Sequence, residues 1–133
     1  MAEIRPLRPW RYNQELGNSI EEFLSPLFDV VSEKQRAKLY QNPLNSIHLS
    51  VPKGESPAVS ALQTYRQWQA DGIIVQDELP AIYVYYQYFS LPGSSKTFIR
   101  KGFITNIRVY EWEEKVILRH ENTIPHSVSD RKE

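Results

Sequence analysis

The chain has 133 residues, and its 16 basic and 16 acidic side chains give no formal net charge at neutral pH. This length is typical of one domain, and the charge balance does not favour nucleic acid or an anionic membrane as a partner. The lack of cysteine excludes disulfides and cysteine-based zinc sites. No apolar run reaches the roughly 18 residues that cross a bilayer, and the N-terminal residues lack the apolar centre of a signal peptide. We therefore predict one soluble, cytoplasmic domain without a nucleic-acid or membrane partner.

The N-terminal region is predicted to be an extended arm. Ile4 to Leu7 alternates apolar and polar residues between prolines, as in an edge strand. Arg5, Arg8 and Arg11 recur every third residue, and in an extended chain this spacing alternates faces. The arginines are interpreted as solvated, with Arg11 also expected to contact a ligand.

Asp29 is the first candidate site residue, because it lies among hydrophobic neighbours in the turn from Pro26 to Val31. A carboxylate in such a place needs partners. Asp29 either caps nearby backbone amides or points into a cleft, and the sequence leaves both alternatives open.

Two main helices are predicted. Ser32 and Gln35 form a capping-box pattern that starts a helix over about 33–40, and a proline in the first turn with a glycine stop predicts a second over about 57–70. Between them, 45–51 alternates apolar and polar residues, which indicates a half-buried strand with His48 facing outward or into a groove.

A long hairpin over about 81–110 is predicted to organise the sheet, because aromatic and β-branched residues flank a Pro-Gly turn. The apolar phase of its second strand switches at Gly102, which indicates a bulge or a close approach of backbones. Val116 to Leu118 is predicted to be a further strand beside the hairpin. The fold class is thus α+β, with a mixed or antiparallel sheet and the helices on one face.

Chemistry-bearing side chains follow Val116 to Leu118. His120 offers an imidazole that can donate or accept a hydrogen bond, Glu121 can act as a base, Thr123 offers a hydroxyl, and Arg131 can hold a phosphate through two hydrogen bonds. The alternative interpretation is that these residues form an ordinary polar segment after a strand and have no functional role. The spacing of His120, Glu121 and His126 fits no standard metal site, so no metal is predicted.

Several segments together resemble the domain of unknown function 1015 family, an uncharacterised group of mostly bacterial and archaeal proteins. Leu27 and Phe28 replace a second proline and a tyrosine that are usual in the family, and His48 replaces a common arginine. Members extend far beyond this length, so the resemblance implies that 1–133 is one α+β domain from the N-terminal portion of a longer protein. The matching segments are Arg11-Tyr12-Asn13, Ser25 to Val31, Asn42 to Asn45, Asp71-Gly72, Pro80 to Tyr85, Lys101-Gly102-Phe103, His120 to Thr123 and Asp130-Arg131.

The terminal His-Glu-x-Thr pattern also resembles the nucleotide-binding and serine-kinase branch of the ParB-like proteins. This resemblance implies a nucleotide- or phosphate-binding site of an amino-acid or alcohol kinase that uses ATP or ADP with magnesium. Such an enzyme would act when full length, and 1–133 alone is expected to be inactive. The alternative is a non-catalytic ligand-sensing or protein-interaction domain. The predicted catalytic residues are Glu121, His120 and Asp29, and the predicted ligand-binding residues are Thr123, Arg131 and Arg11.

Overall fold

The computed structural model describes residues 1–17 and 19–120 of the chain. These residues form an α+β structure, which confirms the predicted class, and no helix among them is long and apolar enough to cross a bilayer. The strands are β1 (Ile4–Arg5), β2 (Trp10–Tyr12), β3 (Ile74–Gln76), β4 (Tyr83–Ser90), β5 (Thr97–Ile104) and β6 (Asn106–Ile107). The helices are α1 (Glu33–Leu39), α2 (Ile47–Ser50) and α3 (Pro57–Ala70), with 3₁₀ turns at Gln14–Leu16, Ile20–Glu22 and Trp112–Glu114.

The strands pair antiparallel in three two-stranded sheets, β1 with β6, β2 with β3 and β4 with β5. The chain divides into two compact units. The helical unit is Trp10–Gln76, and the hairpin unit combines Met1–Pro9 with the described residues from Asp77 to His120. The predicted helices therefore lie in a different unit from the predicted hairpin. That 1–133 folds as one domain stays a prediction.

Local sequence signals set the helix ends where they were predicted. The Ser32 hydroxyl accepts a hydrogen bond from the Gln35 backbone N–H at 3.4 Å, and the Gln35 side chain accepts one from the Ser32 N–H at 3.0 Å. This reciprocal capping box starts α1. Pro57 occupies the first turn of α3, and Gly72 follows its end with φ of 69°, the left-handed conformation that glycine adopts without strain.

The core of the helical unit is small and contains every fully buried apolar side chain among the described residues. α3 packs against α2 and β3, and Trp68 is the only residue of α3 that is fully buried. Burial of this set supplies the hydrophobic stabilisation of the unit. The buried side chains are Phe23, Val31, Ile47, Trp68 and Ile74.

The strand predicted over 45–51 is wrong, because this segment forms the short helix α2. Asn42 Oδ1 accepts a hydrogen bond from the Leu44 N–H at 2.9 Å, and Asn45 Oδ1 accepts one from the Ile47 N–H at 3.0 Å. Such side-chain bonds to the backbone two residues ahead turn the chain and compete with an extended strand. His48 is half-buried, with Nε2 3.0 Å from the Asn42 carbonyl oxygen.

Asn45 also joins this turn to the preceding 3₁₀ segment. Its side chain is 1% exposed, and its amide donates to the carbonyl oxygens of Glu22 at 2.9 Å and Leu24 at 3.0 Å. One carboxamide therefore satisfies two backbone acceptors and one donor. Each of these groups would otherwise be buried without a partner or would have to recruit water.

Tyr12 holds the same turn from the other side. Its hydroxyl donates to the Leu44 carbonyl oxygen at 2.8 Å, and its ring stacks on Phe23 with centroids 5.1 Å apart. Burial raises the pKa of Tyr12 to about 12, because the interior disfavours the phenolate. The hydroxyl therefore remains a donor far above neutral pH.

The predicted hairpin is confirmed, with β4 and β5 in continuous register from Tyr83 opposite Ile104 to Ser90 opposite Thr97. The predicted bulge is wrong, because Gly102 lies directly opposite Tyr85 within this register. The apolar phase switches because both faces of the hairpin carry exposed apolar side chains, so a change of face needs no extra residue.

The N-terminal arm pairs with the residues just before and just after the hairpin, at its base. β1 pairs with β6 just beyond β5, and Leu7 exchanges two backbone hydrogen bonds of 3.0 Å with Ala81 just before β4. The predicted edge strand is thus present, but it pairs with residues about a hundred positions away. These long-range bonds hold the base of the hairpin.

The strand predicted at Val116 to Leu118 is wrong, because these residues form a bend after the last 3₁₀ turn. Lys115 ends that turn in the left-handed conformation, with φ of 51°. A left-handed residue reverses the chain locally and interrupts an extended path. Leu118 is 76% exposed, so the end of this apolar run lies at the surface.

We expect Asn45→Ala to lower the free energy of unfolding by about 2–3 kcal/mol, because two carbonyl groups and one N–H lose their buried partner. Urea denaturation measures the loss. Gln41→Ala, at a neighbouring exposed position, should change stability by less than about 0.5 kcal/mol. Equal, small losses in both variants would contradict the role of Asn45.

We expect Gly102→Val to change the free energy of unfolding by less than about 1 kcal/mol. Apart from its chain neighbours, no described residue lies within 4 Å of the position that a Cβ would occupy, and valine suits a strand. Gly72→Val is the matched comparison. It forces a branched side chain into positive φ and should cost about 1–3 kcal/mol. A large loss at Gly102 in thermal or urea unfolding would restore the bulge interpretation.

Candidate functional site

Three of the six predicted site residues, Glu121, Thr123 and Arg131, lie outside the described residues. His120 is the last described residue before them and is exposed in the hairpin unit. The polar cluster after Leu118 therefore stays a prediction.

Asp29 and Arg11 lie in the helical unit, and both are exposed. Asp29 occupies the turn closed by hydrogen bonds from the Val30 and Val31 N–H groups to the Leu27 carbonyl oxygen, at 3.1 and 3.2 Å. Arg11 lies in β2 opposite Val75. The structure thus places both side chains at the surface, and their joining with His120 in one site stays a prediction.

A different group of polar side chains forms a cleft of about 330 Å³ on the paired strands β1 and β6. This volume lies at the lower end of the range for small-molecule sites. We call it the arginine cleft, and its lining residues are Glu3, Arg5, Asn106, Ile107 and Arg108.

Strand pairing brings the polar residues of the arginine cleft to one face. Arg5 lies opposite Asn106, and the Arg108 N–H donates to the Glu3 carbonyl oxygen at 3.0 Å in the adjoining position. Side chains two residues apart on a strand share a face. Glu3 and Arg5 therefore lie on the same face as Asn106 and Arg108.

Among the described residues, two cations and one carboxylate line the arginine cleft. Arg5 donates from both Nε and Nη2 to Glu3 Oε1, at 2.9 and 2.6 Å, and Arg108 Nη1 lies 3.5 Å from Glu3 Oε2. The hydrogen bond from the Arg5 guanidinium, more than any other contact, lowers the pKa of Glu3 below its ordinary value. Glu3 is therefore ionised at neutral pH, and the three side chains together carry one net positive charge.

The guanidinium groups keep donors available for a ligand. The Arg5 and Arg108 side chains are 77% and 66% exposed, and Arg5 uses two of the five N–H donors of a guanidinium on Glu3. The Arg108 guanidinium also lies over the Tyr110 ring, 5.4 Å from its centroid. That cation–π contact favours a position of the side chain beside the arginine cleft.

A sequence comparison identifies the family. Residues 4–133 match the family described as a protein of unknown function, DUF1015. The chain belongs to the DUF1015 family. No curated protein and no solved structure matches this DUF1015 chain. The family description names no activity, so the chemistry has to be argued from the side chains.

The arginine cleft was missed from the sequence although both of its strands share one pattern. Glu3-Ile4-Arg5 and Asn106-Ile107-Arg108 each place a central isoleucine between two polar residues. The pattern alone does not reveal the site, because the two triplets are a hundred residues apart and only their pairing brings the polar side chains together.

Within 1–17 and 19–120 of the DUF1015 chain, no three His, Asp or Glu side chains are grouped closely enough to hold a metal ion. The arginine cleft has a single carboxylate, which already pairs with two guanidinium groups. Its donor-rich composition favours an anion over a cation as a direct ligand.

Proposed function

We propose that this DUF1015 chain contributes a phosphate-binding site to a small-molecule kinase that acts on an amino-acid or alcohol substrate. The observation that supports the proposal is the convergence of the Arg5 and Arg108 guanidinium groups in the arginine cleft. A guanidinium binds phosphate through two parallel hydrogen bonds, which a lysine cannot reproduce.

The charges of the arginine cleft favour a phosphate group over a neutral ligand. Two cations exceed one carboxylate, and the Asn106 amide adds neutral donors at the edge of the cleft. Glu3 opposes an incoming anion, so binding requires Glu3 to share or release the guanidinium groups. The carboxylate therefore sets the affinity, and its removal should strengthen anion binding.

The transfer chemistry belongs to the cluster predicted after Leu118. In this proposal Glu121 accepts the proton of the substrate hydroxyl while His120, Thr123 and Arg131 contact phosphate, with ATP as the donor and magnesium as its counterion. The arginine cleft binds a phosphate group of the nucleotide or of the product. Asp29 and Arg11 remain in the proposal as further predicted contacts.

Inorganic phosphate and ATP should bind the protein with a positive thermal shift, and Arg5→Gln with Arg108→Gln should weaken the affinity by about tenfold or more. Each lost charge-assisted hydrogen bond contributes roughly 1.5–3 kcal/mol before solvent exposure reduces it. Isothermal titration calorimetry at fixed ionic strength measures the affinities, since salt screens exposed charges.

Two control variants make this measurement specific. Arg66→Gln removes one exposed cation from α3 and should leave phosphate affinity unchanged. Glu3→Gln keeps the side-chain shape and removes the opposing charge, so it should tighten binding. If Arg66→Gln weakens binding as much as the double variant does, the effect is non-specific and the arginine cleft is not the site.

The kinase proposal predicts that the full-length protein transfers phosphate from ATP to a hydroxylated metabolite in the presence of magnesium. Glu121→Gln should lower turnover by about 10² to 10⁴ with little change in ligand affinity, because a general base acts mainly in the transition state. Phosphorylated product is detected by mass spectrometry. Nucleotide binding without phosphate transfer to any of the alcohols or hydroxyl-containing amino acids tested would argue against kinase activity.

A second candidate function is a non-catalytic ligand-sensing or interaction domain. The observation that favours it is the exposure of the β4–β5 hairpin, which presents large apolar side chains on both faces. Contiguous exposed apolar surface is typical of a surface that another protein covers.

A further inference from the structure

The β4–β5 hairpin has the composition of a sheet interior but the exposure of a surface. On one face Val84, Tyr86 and Tyr88 of β4 are 70%, 53% and 63% exposed, and Ile99 and Phe103 of β5 are 50% and 64% exposed. A two-stranded hairpin is marginally stable by itself in water. Among the described residues neither strand has a second neighbour.

Charge is unevenly distributed between the two strands. The hairpin from Ala81 to Ile104 has no acidic residue, and its three basic residues, Lys96, Arg100 and Lys101, all lie in β5 or just before it. No charged residue occurs in β4. Lysines on an edge strand discourage strand addition, so β4 is the edge that is open to a further strand.

We propose that β4 pairs antiparallel with β4 of a second copy of this chain, which forms a four-stranded sheet in a symmetric dimer. The charges select this arrangement. The order β5–β4–β4–β5 separates the two sets of cations by three strand spacings, about 14 Å, which exceeds the Debye length of about 8 Å at physiological salt. Pairing through β5 would instead place like charges side by side.

Symmetry also limits the register. A two-fold axis through an antiparallel pair places one residue opposite its own copy, because opposed side chains must share a face. With Tyr86 on the axis, Val84 of each copy lies opposite Tyr88 of the other. The centre then has one aromatic pair flanked by two pairs of aromatic and β-branched side chains, which are favourable across strands.

Edge pairing alone gives a small interface. Seven residues of each copy, from Tyr83 to Phe89, take part in the Tyr86-centred register. The contact therefore lies in the small, weak class of interfaces, below roughly 1,200 Å². We expect a dissociation constant on the order of 10–100 µM, so the dimer should appear within a normal range of protein concentrations.

Single-cysteine cross-linking tests the register, because the chain has no cysteine of its own. Tyr86→Cys should form a disulfide-linked dimer under mild oxidation, since the two thiols lie opposite each other at the axis. Tyr88→Cys is the matched variant on the same face. Its two copies would be four residues apart along the strand, about 13 Å, which is too far for a disulfide.

Ile99→Cys on β5 is the second control, and it should cross-link only at the background rate. We expect Tyr86→Cys to cross-link at least about tenfold faster than either control, because pairing raises the effective concentration of its thiols. Equal rates at all three positions, or faster reaction at Ile99→Cys, would overturn the proposal.

Sedimentation velocity tests the same interface without cysteine. The unmodified protein should shift from monomer to dimer between about 5 and 300 µM, around the expected dissociation constant. Val84→Lys should abolish the shift, and Ile99→Lys, on the outer strand, should keep it. Circular dichroism confirms that both variants fold. An unmodified protein that is monomeric throughout this range would overturn the proposal and leave β4 to a different partner.

Discussion

The helical unit depends on one buried carboxamide. Asn45 is 1% exposed and bonds to three backbone groups, two of which belong to the segment that precedes α1. The Ser46 N–H extends the same junction with a 2.7 Å bond to the Phe23 carbonyl oxygen. Hydrophobic burial has no direction, and these bonds supply the specific geometry in which Phe23 and Ile47 become buried.

The hairpin unit is stabilised by different interactions from those of the helical unit. All fully buried apolar side chains of the described residues belong to the helical unit, so backbone pairing along the arm and the hairpin holds the other unit together. Strand pairing without a covered face provides little net stabilisation in water. A second neighbour for β4 would add backbone hydrogen bonds and cross-strand side-chain contacts to this unit, and that gain underlies the proposed dimer.

Elements that are specified by local signals were predicted correctly from the sequence, and features that depend on distant residues were missed. The capping box at Ser32, the proline start at Pro57 and the hairpin turn each act within a few residues, and these elements were predicted correctly. The arginine cleft depends on the register of two strands a hundred residues apart, which alternation alone cannot supply.

Two wrong strand predictions had a shared cause. Period-two alternation over 45–51 and an apolar run at Val116 to Leu118 are strand patterns only if the backbone is free to extend. Asparagine side chains bond to the backbone in the first segment, and a left-handed Lys115 precedes the second. In both segments, local backbone geometry therefore prevents the strand that the apolar pattern predicts.

The family-like segments of the helical unit share one role in the structure. Those in the helical unit form a bonded set, in which Tyr12 donates to the Leu44 carbonyl oxygen and the Asn13 side chain donates to the Gly72 carbonyl oxygen at 3.1 Å. These residues are explained by folding, because each satisfies a backbone group.

The segment from His120 to Arg131 has a different composition. It combines two histidines, carboxylates, hydroxyls and a guanidinium with few apolar residues, so hydrophobic packing does not account for its side chains. Functional residues are therefore best sought outside the residues that hydrogen-bond to the backbone of the helical unit. The hairpin unit contains both the exposed His120 and the arginine cleft. A surface ion pair with Glu3 contributes little to stability. Binding of a phosphate ligand would therefore explain why guanidinium N–H donors remain available in the arginine cleft.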